Sequence, residues 1–96
     1  MCGNQELQRA SPQSAEWTAI SFNRDCGATT AVSTQVSIIH GNAALRNDPG
    51  NVLVLEKEGK VKLSVTSAGE LLVELPADAK SLKQETAVNG IRVLYQ

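Results

Sequence analysis

Aromatic side chains are scarce in this chain. Only Trp17, Phe22 and Tyr95 are present among 96 residues, so any core must be aliphatic, built from Val, Leu, Ile and Ala. Histidine is scarcer still, with His40 alone. Two cysteines, Cys2 and Cys26, show no CxxC spacing and with one histidine make a poor zinc set. Neither a metal nor an organic cofactor is expected. No apolar run approaches the ~18 residues of a membrane-spanning helix, and no signal-peptide pattern is written into the sequence. Charge of one sign is also lacking: nine basic residues stand against ten acidic ones, a net charge of −1. The basic residues are scattered and have no interleaved aromatics, which argues against nucleic acid as a partner, because phosphate binding needs clustered Lys and Arg.

What is there suits one small globular domain. The length fits one domain and is too short for two, and 42% hydrophobic residues is ordinary for such a chain. A domain of this size buries roughly 60–65% of the surface its unfolded chain exposes. That margin is thin enough for a disulfide or self-association to contribute.

Residues 1–15 are polar and turn-rich, with Ser11-Pro12 and little periodic hydrophobicity, and they read as a flexible leader. A single β domain is expected over 16–96. Within it, short strands are predicted at 17–24, 31–40, 51–57, 60–66, 71–75 and 91–95. The second alternates, with Val32, Thr34, Val36 and Ile38 against Ser33, Gln35 and Ser37, which predicts one buried and one wet face. The third is apolar on both faces through Val52, Leu53, Val54 and Leu55, as a central or doubly covered strand would be. Asn89-Gly90 favours a tight hairpin turn, which would pair 86–88 with 91–95. Gly41–Gly50 reads as a polar loop with a turn at Asn47-Asp48-Pro49-Gly50. The segment 77–84 after Pro76 is the one place for a short helix. If 26–30 closes a hairpin, two registers compete. One sets Trp17 opposite Ile38 and Ala19 opposite Val36; the other sets Ile20 opposite Val36 and Phe22 opposite Thr34. The fold class is mainly β, an antiparallel meander-like sheet or small sandwich of five to seven strands.

The most distinctive stretch is Asp25-Cys26-Gly27-Ala28-Thr29-Thr30 followed by Ser33-Thr34-Gln35-Val36-Ser37-Ile38. It resembles the signature of a family of small uncharacterised bacterial proteins, many of lipoprotein type. The resemblance covers residues 22–38 closely and extends more loosely toward Tyr95. It implies a fold and no activity. The chain departs from the pattern at Val65, where an aromatic is expected, and at Leu75, where a tyrosine is expected. Cys2-Gly3-Asn4 with its polar leader also looks like the start of a mature lipoprotein whose cysteine carries lipid. Membrane contact would then run only through that lipid on Cys2, in the periplasm or on the membrane; otherwise a cytoplasmic location is expected. A Cys2–Cys26 disulfide is the competing reading, and it excludes a lipid on the same sulfur. It would close a loop of about 25 residues, worth roughly 3 kcal/mol in the chain-entropy model, and it needs an oxidising compartment.

Candidate chemistry is thin. A nucleophilic Cys26 needs a base beside it, yet a straight strand over 31–40 would carry His40 roughly 30 Å away. Asp25 would raise the thiol pKa. No carboxylate pair is spaced for acid–base work, and no GxSxG elbow is present. The residues to watch for binding are Asp25, Cys26, Gly27, Thr29 and Thr30: the Gly27 backbone can approach a ligand or form an anion-binding nest. The competing reading is a turn whose side chains cap their own backbone. The expected function is that of a non-enzymatic accessory or binding protein of the bacterial envelope, with a protein or small-molecule partner. The alternatives are a self-associating structural protein, one from a mobile genetic element included, and a small Cys26-dependent enzyme.

Overall fold

The computed structural model describes residues 1–96, and the chain is all β, with two sheets and no helix. Five strands form the first sheet: β1 (Gly3–Ala10), β2 (Trp17–Asp25), β3 (Ser33–His40), β4 (Leu53–Leu55) and β7 (Ser81–Gln84), side by side in the order β1-β2-β3-β4-β7. The second sheet orders β5 (Lys62–Val65), β6 (Leu71–Glu74), β9 (Ile91–Tyr95) and β8 (Ala87–Val88) as β5-β6-β9-β8. All neighbours are antiparallel except β6 and β9, which run parallel. A parallel pair needs a long return connection, and here that connection visits the other sheet as β7 before coming back through β8.

The two sheets face each other over an aliphatic core. Ala19, Val36, Ile38, Leu53 and Leu55 of the first sheet meet Leu63, Leu71, Val73 and Val93 of the second, with Trp17 at one end. The first sheet is also covered on its other face, by the loop over residues 41–51. Ile20 and Phe22 point to that side and are fully buried, although they stand outside the inter-sheet cluster. The molecule therefore has three layers: a four-stranded sheet, a five-stranded sheet, and a strap of irregular chain.

The strap is docked by polar contacts. Asn51 donates from Nδ2 to the Ile38 carbonyl at 2.9 Å and accepts the Ile38 N–H at Oδ1 at 2.8 Å, taking the place of a neighbouring strand for one residue. Gln35 Oε1 accepts the Gly50 N–H at 2.7 Å, and Ser37 Oγ accepts the Asn51 N–H at 3.1 Å. The backbone approaches so closely at Gly50 that a Cβ there would sit 2.6 Å from the Leu53 carbonyl oxygen and 2.8 Å from that of Val36. Only glycine fits at that spacing. The wet face expected for β3 is thus buried: Gln35 is 5% and Ser37 6% exposed, their polar groups bonded to the strap.

Other expectations are corrected or narrowed. Residues 1–15 are not a free leader, because Gly3–Ala10 pairs along β2 from Gly3 opposite Asp25 to Ala10 opposite Ala19. The polar composition that suggested a leader belongs to an edge strand with little to bury. The first-hairpin register is neither of the two considered: Trp17 lies opposite His40, Ala19 opposite Ile38 and Ser21 opposite Val36. β4 is central, between β3 and β7, but not doubly covered: it alternates buried, half-buried, buried, and the strand covered on both faces is β2. At most one short helix is expected, over 77–84, and none forms there: Asp78 adopts φ of 61°, which ends a turn started at Pro76, and Ser81–Gln84 extends along β4. With β1, β7 and β8 included the strands number nine, more than the five to seven anticipated, and several are very short. The Asn89-Gly90 turn is as the dipeptide predicts, with φ of 51° and 80° and Val88 opposite Ile91.

Candidate functional site

Two ends of the β2–β3 hairpin carry the candidate chemistry. At the closed end, Gly3 pairs with Asp25, and the next positions outward, Cys2 and Cys26, are joined as a disulfide. No cysteine is free. The sulfur of Cys2 is therefore occupied, and a thioether lipid on that atom is incompatible with this bridge. Cys26 has no thiolate to offer, and His40 pairs with Trp17 at the opposite end of β2. The arrangement brings no base to Cys26.

The loop residues singled out for binding largely satisfy themselves. Asp25 Oδ1 accepts the Gly27 N–H at 3.0 Å. The Gly27 carbonyl accepts the Thr30 N–H and the Thr30 hydroxyl, both at 3.2 Å. Gly27 holds φ of 122°, a conformation L residues rarely adopt, which accounts for glycine in the turn. Thr29 is exposed and makes no hydrogen bond within the protein. This is the capped turn, with local groups meeting local needs. Beside it runs a shallow groove of about 510 Å³ lined by Asn4, Gln5, Asn23, Asp25 and Glu58. Its polar walls are carboxamides and carboxylates, with Met1 and Val32 beside them, and Asn23 Nδ2 already donates to Glu58 at 2.9 Å.

The open end is chemically richer. A cleft of about 690 Å³ lies where β2 begins and β3 ends. Trp17, Ile38 and Ile91 give it an apolar floor; Glu16, His40 and Asn89 bring a carboxylate, an imidazole and a carboxamide to its rim. The volume lies within the range of small-molecule sites, and an apolar surface with a few convergent polar groups is their usual composition. Two of the three non-glycine residues with positive φ, Ala15 at 57° and Asn89 at 51°, line this cleft. Thr18 supports its wall: its hydroxyl donates to the Gly41 carbonyl at 2.7 Å and lies 2.9 Å from Ser11 Oγ. The sequence reading missed this site because its residues lie in three separate segments. Only the lone Trp17 and lone His40 hinted at it, and their juxtaposition depends on the register.

A further hollow of about 260 Å³ separates the 56–59 turn from the 76–80 turn. It is smaller than typical ligand sites. No group of three or more His, Cys, Asp or Glu side chains is placed to hold a metal ion. Comparisons with known families, curated proteins and solved structures found no match to this chain.

Proposed function

We propose that the protein is a non-catalytic binding module of an oxidising compartment, an accessory protein of the bacterial envelope, which takes a small ligand in the Trp17–His40 cleft. The cleft carries the reading, because indole and isoleucine surface lies beside an imidazole, a carboxamide and a carboxylate. Such a lining suits a compact, partly aromatic molecule with hydrogen-bonding groups at one edge. The Cys2–Cys26 bridge supports the compartment, because structural disulfides persist where thiols are not kept reduced. The envelope assignment draws on the same bridge and on the resemblance of the Asp25–Thr30 signature to small bacterial proteins.

Trp17 is the only tryptophan, so its emission reports on the cleft without interference from another indole. Titration with a panel of aromatic and saccharide fragments should give saturable changes in that emission. The amide resonances of Trp17, His40 and Ile91 should move together. His40→Ala should weaken the same fragments by roughly five- to ten-fold, the usual cost of one lost hydrogen bond. Fragments that bind only at the Asp25 loop, or none that bind at all, would defeat the cleft as the ligand site.

A further inference from the structure

The four sheet edges offer little to a second chain. β1 and β7, at the two sides of the five-stranded sheet, each carry one extra residue. The pairing jumps from Glu6 to Gln8 on β1 and from Ser81 to Lys83 on β7, leaving Leu7 and Leu82 unpaired and exposed. Bulges of this kind kink an edge and discourage edge-to-edge pairing. In the other sheet, Gln8 closes β5, donating to the Leu63 carbonyl and accepting the Leu63 N–H, both at 3.0 Å. β8 is two residues long.

β1 itself is the exchangeable element. None of its residues is fully buried, yet seven of them pair with β2, and its attachment is backbone pairing plus polar side-chain bonds of Asn4, Gln8 and Arg9, all of which an identical strand can supply. The connection to β2 is short, Ser11 to Glu16, and holds two conformational restraints: Pro12, and Ala15 at φ of 57°. A non-glycine residue in the left-handed region is strained. Straightening the connection to roughly 20 Å releases that strain, and short strained hinges favour exchange of the element they tether between copies.

We propose that a second copy of this chain is a partner, through reciprocal exchange of β1, with Cys2 of each copy bridged to Cys26 of the other. The β1–β2 pairing and the polar contacts of β1 are reproduced across the dimer, and only the hinge changes. Formation of the dimer needs the intrachain bridge opened. A thiol reductant delivers two electrons and two protons per bridge, giving two Cys thiols. Reclosure passes two electrons and two protons per bridge to a small-molecule disulfide, which becomes two thiols. The proposal is independent of the ligand assigned to the cleft.

The test mixes unlabelled and ¹⁵N-labelled protein, reduces both at high concentration, and reoxidises with glutathione disulfide. Trypsin releases Cys2 in residues 1–9 and Cys26 in residues 25–46. Expected are a dimer on non-reducing electrophoresis and linked 1–9/25–46 peptides with one light and one heavy half. Ala15→Gly removes the hinge strain from the monomer, so the dimer association constant should fall about 30-fold, about five-fold for each of two hinges. Recovery of monomer alone would overturn the proposal, as would dimers bridged Cys2 to Cys2 or a dimer yield indifferent to Ala15→Gly.

Discussion

Tyr95 shows how much one position can report. Its hydroxyl donates to the Glu85 carbonyl at 2.6 Å, at the end of β9. Partial burial, then the nearby Glu85 carboxylate, disfavours the phenolate and pushes its pKa up to about 12 from 10. The folded value lies above the unfolded one. The contribution to stability is therefore complete below pH 10 and is lost as pH rises toward 12. Tyr95 is the only tyrosine, so absorbance near 295 nm titrates this one group. The midpoint should fall near 12 in the folded protein and near 10 in urea, and Glu85→Gln should lower only the folded value. A folded midpoint at 10 would mean that the hydroxyl is solvated and its bond to Glu85 is not kept. The Glu6–Arg9 pair behaves differently. The Arg9 guanidinium holds the Glu6 carboxyl below its usual range through bonds of 2.7 and 3.0 Å, but the pair is solvent-exposed and screened.

At the scale of elements, carboxamides do the work of missing strands. Asn51 completes the ladder of β3 at Ile38, and Gln8 completes that of β5 at Leu63. Asn51→Ala would leave the N–H and C=O of Ile38 without partners beneath the strap, which should cost about 2 kcal/mol. Asn51→Asp keeps the acceptor but sets an oxygen against the Ile38 carbonyl, so it should recover little of that loss. Urea unfolding reads both changes as a lower midpoint at unchanged slope. An Asn51→Ala midpoint equal to the parent's would show that this bond pair adds nothing net. The same contacts explain what was legible in the sequence. Alternation at 32–38 marked β3, and Asn89-Gly90 marked the last hairpin, because apolar periodicity and turn chemistry are local signals. β1 and β7 were hidden because an edge strand buries little and its residues look like loop. The double burial of β2 was hidden because its cover is the 41–51 strap, which reads as polar chain and docks through side-chain amides far away in sequence. The cleft was hidden for a related reason: Trp17 and His40 meet only when the register is known.

For the whole molecule, the third layer is held on two sides, by β3 through Gln35, Ser37 and Ile38 and by β1. The strap is tied to β1 and to its flank: Asn4 Nδ2 donates to the carbonyls of Arg46 and Asp48 at 3.0 and 2.8 Å, Arg9 reaches Asn42 and the Ala43 carbonyl, and Asn47 donates to the Cys2 carbonyl at 2.9 Å. Arg24 of β2 bridges the two, donating to Asn4 Oδ1 at 2.9 Å and to Asn47 Oδ1 at 3.0 Å. The disulfide sits at this corner of the β1 side, next to the Gly3–Asp25 pair. Opening it frees the end of β1 and loosens the strap's ties to Asn4 and Cys2, while the contacts of Gly50 and Asn51 with β3 remain. The inter-sheet core lies on the opposite face of β2 and is not touched. Cys2→Ser/Cys26→Ser should therefore cost about 3 kcal/mol in global stability through the lost loop constraint. Its effect on hydrogen exchange should also be uneven. Amides of β1, residues 41–48 and the β1-facing edge of β2 should gain an added local opening and exchange faster than the global loss requires. Amides of β6 and β9 should speed up only by the global amount. Equal acceleration in all of these segments would show that strap, β1 and sandwich open as one unit, so that the corner has no separate hold on the third layer.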